Sequence, residues 1–253
     1  MHVVVIHGWK GETTELAQAI SGSLGITAFE ARQRISGGGP IVVASFADVR
    51  QALVLVKKLN HSGIDTLVVN TTEACSRAAY VIVRRFELNE SSLRVETRNR
   101  RRAEIPYREI VVLLLATSII EYSETKTVAE RKFSLGKTIL GGGIPMSKKV
   151  EHQKKVATEE RRRVLYLYAS SRQQPIVFSQ DAMTYDGLGA AMQVSRELNF
   201  TYLVIELRRL SPLAAYDDRL LKRVGQVQLL GPALEPKTNL DLAAEILARS
   251  LQT

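Results

Sequence analysis

The sequence predicts an α+β protein: an N-terminal β-α-α-β-α-β sandwich over residues 1–70, followed by an antiparallel β-sheet domain over 86–212 closed by a C-terminal helix. Residues 71–85 read as a connector and 213–253 as a helical tail. Three observations carry this. In the first seventy positions, short apolar β-rich runs alternate with segments whose apolar residues recur at helical spacing. From Phe86 onward the period changes to two, with Phe86, Leu88, Leu93, Val95 and Thr97 alternating with polar residues. The chain of 253 residues, 45% hydrophobic and 24% charged, is long enough to bury one large core or two small ones.

Val3 to Ile6 is an apolar run suited to a central strand, and Gly8 to Gly11 turns the chain. Thr13 caps a helix with Leu16, Ile20 and Leu24 four apart on one face. Thr27 and Glu30 stand as a capping box for a second short helix carrying Ala31 and Ile35, stopped by Gly37-Gly38-Gly39-Pro40. After the strand Ile41 to Ala44, Ser45 and Asp48 open a stronger helix with Ala52, Leu53, Val56 and Leu59 at helical spacing, and Gly63 ends it. Ile64 to Val69 is the third strand.

In the second half, Arg98 to Arg102 forms a charged turn before Ile105, Tyr107 and Ile110. Ile110 to Ile120 is an apolar strand, Tyr122 to Phe133 an alternating one, and Val164 to Tyr168 and Ile176 to Phe178 are further strands. Asn199 to Leu210 is a helix with Phe200, Leu203, Leu207 and Leu210 on one face, stopped by Pro212. A last helix runs from Asn239 to Leu251 and is expected to pack on one of the two domains.

The order β-α-α-β-α-β, with Glu30-Ala31-Arg32 on the short second helix and Leu59-Asn60-His61-Ser62-Gly63 before the third strand, resembles the C-terminal domain of the bacterial ribosomal stalk protein. It is equally similar to the protease adaptor that recognises N-degrons. In that fold family the helices form a protein-docking face, so the resemblance implies a protein-binding module. Gln51 and Val54 stand where the stalk domain carries lysines, which separates this chain from that domain's partners. The segment Leu93 to Ile110, a strand and polar turn leading into Ile105-Pro106-Tyr107, resembles the first hairpin of the bacterial pleckstrin-homology-like fold. That resemblance implies a PH-like domain over about residues 80 to 212.

Charge is concentrated in one place. Lys126 to Arg163 holds eleven Lys/Arg against four Glu and so supplies +7 of a formal +9. It reads as a long basic arm leaving the sheet and returning through Gly141-Gly142-Gly143. The candidate binding residues are Arg131, Lys132, Lys148, Lys149, Lys154, Lys155, Arg161, Arg162 and Arg163 of this arm, with Arg98, Arg100, Arg101 and Arg102 of the charged turn. Such density suits an acidic protein face, anionic lipid or phosphates of nucleic acid. Phe133 is the one aromatic in the arm, which leaves little for base stacking.

Enzymatic readings lose support one by one. The opening Val3-Val4-Val5-Ile6-His7-Gly8-Trp9 looks like the first strand of an α/β-hydrolase, yet no Gly-x-Ser-x-Gly follows. Leu135-Gly136-Lys137-Thr138 imitates the end of a phosphate-binding loop, but Arg131 stands where its first glycine belongs. His2, His7, His61 and His152 lack carboxylate or Cys partners at ligand spacing, so no metal is expected. Asp217-Asp218 and Glu159-Glu160 are adjacent and point to different faces. Gly37 to Gly39 can offer N–H groups to an anion but serve equally as a helix stop. No catalytic residue and no cofactor is predicted.

The single Cys75 fits a reducing compartment and a small buried residue. The longest nearly uncharged apolar run, from Ile110 to Ile120, is too short to span a bilayer as a helix, and the N-terminus lacks a secretory pattern. The expectation is a cytoplasmic, non-enzymatic adaptor or scaffold that binds a protein partner or another acidic surface, the inner face of the membrane among them. The alternatives are a nucleic-acid-associated protein using Arg98 to Arg102 and Lys148 to Arg163, or an enzyme with an unrecognised site.

Overall fold

Strand β1 (His2–His7) is the middle of a three-stranded antiparallel sheet in the order β2-β1-β3, with β2 at Ile41–Phe46 and β3 at Asp65–Asn70. The computed structural model describes residues 1–9, 13–74, 80–133 and 147–252, together with the side chains of these except 121–133 and 147–158. Cys75, the phosphate-loop-like stretch 135–138 and the glycine turn 141–143 lie outside the described residues.

Val3, Val4, Val5 and Ile6 are all fully buried, and the reason is that both faces of the sheet are covered. Val4 and Ile6 meet Ala17 and Ile20 of α1 (Thr14–Leu24), Ala31 and Ile35 of α2 (Ala28–Ile35), and Ala52, Leu55 and Leu59 of α3 (Val49–His61) in one core. Local sequence starts each helix. Thr13 Oγ1 accepts from Leu16 N at 3.0 Å, Thr27 and Glu30 form the reciprocal capping box, and Asp48 accepts from Arg50 N at 2.9 Å. Val3 and Val5 face the other way, into a second core described below.

After a one-turn helix α4 (Thr71–Ala74) the chain enters a seven-stranded sheet in the order β10-β7-β8-β9-β4-β5-β6. Its strands are β4 (Val81–Leu88), β5 (Ser92–Thr97), β6 (Arg102–Pro106), β7 (Ile110–Phe133), β8 (Ser147–Ala169), β9 (Ile176–Ser179) and β10 (Ala215–Asp217). The sheet is mixed: β4 pairs with β9, and β7 with β10, in parallel, while β4, β5 and β6 form an antiparallel meander. Strand β4 begins inside the stretch read as a connector, because Val83 and Phe86 are needed in the core.

Helix α5 (Arg196–Leu210) covers one face of this sheet, with Phe200, Leu203 and Leu207 against Leu113, Leu115, Leu165 and Phe178. It starts three residues earlier than Asn199, where Ser195 caps it by accepting from Leu198 N at 3.2 Å. Helix α6 (Arg223–Leu230) and helix α7 (Leu240–Gln252) complete the chain. In α7, Leu242, Ala243, Ala244, Ile246 and Leu247 are fully buried, in one core with Val3, Val5 and Val69 of the small sheet and Val112, Leu114 and Tyr166 of the large one. The tail helix therefore joins two sheets where the sequence suggested one, through a broad apolar face, while Asp241, Glu245 and Arg249 lie on its less buried side. Residues Met1–Ser118 and Arg162–Thr253 form one compact unit, and Ile119–Arg161, the remainder of β7 and the first part of β8, forms a second.

Candidate functional site

The hairpin turn between β5 and β6 is built by its own backbone. Thr97 N donates to Arg101 O at 2.9 Å, Arg100 N donates to Thr97 O at 3.0 Å, and Thr97 Oγ1 accepts from Arg101 N at 3.2 Å. Closing it requires Arg100 at φ 57, the left-handed region that favours glycine. The side chains of Arg98, Arg100 and Arg101 are exposed, and no hydrogen bond or ion pair ties any of them among the described residues. Arg102 differs, its Nε lying 3.0 Å from Glu96 Oε2. The turn thus holds three uncompensated guanidinium groups on consecutive or near-consecutive residues.

The arginines that end the basic stretch have other work. Arg162 Nε is 3.4 Å from Asp181, and Arg163 reaches Glu197 at 3.3 Å and Thr201 Oγ1 at 3.3 Å. These contacts tie β8 to the segment after β9 and to α5, so both arginines are half-buried anchors. Arg161 is exposed. Arg131 and Lys132 lie on β7 and Lys148, Lys149, Lys154 and Lys155 on β8, and their side chains are outside the described residues. The segment 126–163 is strand over 126–133 and 147–163, so the basic arm is largely a continuation of two sheet strands. Sheet order separates the arginine turn, between β5 and the edge strand β6, from Arg162 and Arg163 on β8, with β9 and β4 in between. The structure does not bring these two groups together.

The Gly37 to Gly39 segment is explained by packing. A Cβ on Gly39 would fall 2.8 Å from the Trp9 ring, one on Gly37 would fall 2.8 Å from the Gln228 side chain, and Gly38 adopts φ 75. Trp9 Nε1 donates to Ile35 O at 3.2 Å, and the Arg219 guanidinium donates to Gly39 O. The loop is clamped from both sides by side chains.

Sequence reasoning missed two surface features. Arg208 stacks 3.8 Å over the Tyr216 ring, beside Arg209, which Glu206 holds at 2.8 Å. A groove of about 360 Å³ lies among Leu24, Ile26, Phe46 and Val54. Val54, apolar and 57% exposed on α3, was the available signal for the groove.

Among the described residues no group of three His, Cys, Asp or Glu gathers at metal-binding distance, and no helix is long and apolar enough to cross a membrane. Buried ionisable groups belong to the core. Tyr166 donates to Asp241 Oδ1 at 2.7 Å, and burial first, then the Asp241 charge, raises its phenol well above the ordinary range. Burial likewise pushes Tyr107, whose hydroxyl donates to Asn89 O, up to about 12. No family model, curated protein or solved structure matches the chain.

Proposed function

We propose that this chain is a non-enzymatic adaptor that meets an acidic surface, first of all that of a protein partner, through its basic strands and its arginine turn. The observation that carries this reading is the turn itself. Arg98, Arg100 and Arg101 stand exposed without counter-charges among the described residues, and Arg100 occupies a backbone conformation costing about 1 kcal/mol that a glycine would relieve. A strained, unpaired cation is a poor device for stability and a suitable one for contact. The +7 carried by the sequence of residues 126–163 adds charge of the same sign, of which Arg162 and Arg163 are already paired with Asp181 and Glu197.

The PH-like reading of the second sheet is supported by the β4-β5-β6 meander and the helix α5 packed on one face. The parallel pairing of β4 with β9 and of β7 with β10 is a departure from an all-antiparallel domain.

Flotation with anionic and neutral vesicles, at low and physiological salt, tests the membrane form of the contact. The comparison is a chain with Lys148, Lys149, Lys154 and Lys155 changed to Glu. Binding to anionic vesicles alone, lost in the variant, assigns the basic strands to lipid headgroups. Absence of binding to both vesicle types eliminates the membrane, and affinity capture with nuclease treatment then chooses between a protein partner and nucleic acid.

A further inference from the structure

The groove on the helical side of the first sheet lies between the turn joining α1 to α2 and helix α3, and has a volume of about 360 Å³. Leu24 and Ile26 come from the turn, Phe46 from the edge strand β2, and Val54 from α3. Two cations complete the lining, Arg34 from α2 and Lys58 from α3, and among the described residues no carboxylate contributes. Val54 and Lys58 are four residues apart on α3, hence neighbours on one face of that helix.

Ala52, Leu55 and Leu59 of α3 already meet the core, Leu55 also at the groove, so Val54, 57% exposed, is apolar surface that this core does not use. Arg34 Nη1 lies 3.5 Å from Val43 O, which fixes the guanidinium at the wall while leaving further N–H groups. The one acid on its own helix, Glu30, spends its hydrogen bonds on Thr27, accepting from both its N and its Oγ1 at 2.9 Å, and feels the Arg34 charge only as a lesser influence, with no hydrogen bond between the two among the described residues. Lys58 has no ion pair among the described residues. An apolar floor with two cations and no anion selects by charge as well as by hydrophobicity.

We propose that this groove docks an acidic peptide segment of a partner protein. One apolar side chain of the segment enters among Leu24, Ile26, Phe46 and Val54, and adjoining carboxylates meet Arg34 and Lys58. A volume near the lower end of ligand clefts, roughly 300–1,000 Å³, suits one or two side chains. Burial of the apolar anchor provides the affinity and the two cations set the sign of the partner's charge. The site shares no residue with the basic strands or the arginine turn, so it stands independently of them.

The test is fluorescence anisotropy with two labelled synthetic peptides that share the same Leu and Phe residues, one interspersed with Asp and Glu and the other with Lys. The full chain is titrated beside Val54→Asp, Lys58→Glu and the variant with Lys148, Lys149, Lys154 and Lys155 changed to Glu. Val54 and Lys58 are exposed, so circular dichroism should show all variants folded. The proposal expects the acidic peptide to bind and the Lys peptide not to. It also expects Val54→Asp and Lys58→Glu each to weaken binding about tenfold or more, a loss of about 1.4 kcal/mol, with the strand variant retaining most of the affinity. Equal binding of the two peptides, no binding of the acidic one, or wild-type affinity in Val54→Asp would overturn it. So would loss of binding confined to the strand variant.

Discussion

The guanidinium of Arg219 donates to the backbone carbonyl of Gly39, 180 residues earlier in the chain, and Asp217 grips its other edge through Nε and Nη2 at 2.9 and 2.8 Å. One side chain thus fastens the loop between α2 and β2 to the C-terminal segment. Asp217 is much the more buried partner, so deleting the arginine strands a carboxylate. Arg219→Ala should cost about 2 kcal/mol in urea denaturation. A loss below about 0.5 kcal/mol would show the clamp to be ornamental.

Two glycines test the packing around this clamp in opposite directions from a third. A Cβ on Gly225 would meet Arg219 O at 2.2 Å and one on Gly39 would meet the Trp9 ring at 2.8 Å, so alanine at either position should destabilise. Gly22 lies in helix α1 with nothing within 4 Å, and Gly22→Ala should stabilise by about 0.5–1 kcal/mol. Thermal melts of the three variants check the pattern, and the same sign for all three would contradict it.

Alkaline pH should unfold the protein through its buried phenols. Tyr166 and Tyr168 have folded-state pKa values raised well above the ordinary tyrosine value, chiefly by burial, with Asp241 and Glu245 adding to the shift. In the unfolded chain they titrate near 10. Stability from these groups is therefore complete below about pH 10 and falls as pH rises through and beyond it. Tyr166→Phe and Tyr168→Phe together should flatten the loss measured by denaturant midpoint between about pH 9 and 11. An unchanged slope would remove these tyrosines as the cause.

Arg100 separates stability from binding. Arg100→Gly should raise stability by a few tenths to about 1 kcal/mol, since glycine adopts the φ of 57 without steric cost. The same change should weaken contact with an acidic partner. A variant that loses stability would show that the arginine side chain holds the turn.

Much of the fold of residues 1–70 was legible because its signals are local. Thr13, Thr27 with Glu30, and Asp48 cap helices where their sequence spacing placed them, and the uninterrupted apolar run of β1 announced a central strand, which the structure covers on both faces. The second sheet was less legible for equally physical reasons. Val83 and Phe86 are both buried although three apart, since the ladder slips between Val83 and Arg85 and breaks the period of two that would have revealed β4. The parallel pairing of β4 with β9 joins residues nearly a hundred positions apart, which no local pattern encodes. Of the basic residues, composition showed where charge is dense, but only geometry divides Arg162 and Arg163, held by Asp181 and Glu197, from Arg98, Arg100 and Arg101, held by nothing among the described residues. The groove beside Val54 needed three elements brought together and left only a misplaced valine in the sequence.

The most direct measurement is affinity capture of the full chain from a lysate with and without nuclease. It runs beside one variant with Arg98, Arg100 and Arg101 changed to Glu and another with Lys148, Lys149, Lys154 and Lys155 changed to Glu. The adaptor reading predicts an acidic protein that co-purifies with the wild type, survives nuclease treatment and is lost from at least one charge-reversal variant. Capture that disappears with nuclease, or that is identical for all three chains, would contradict it.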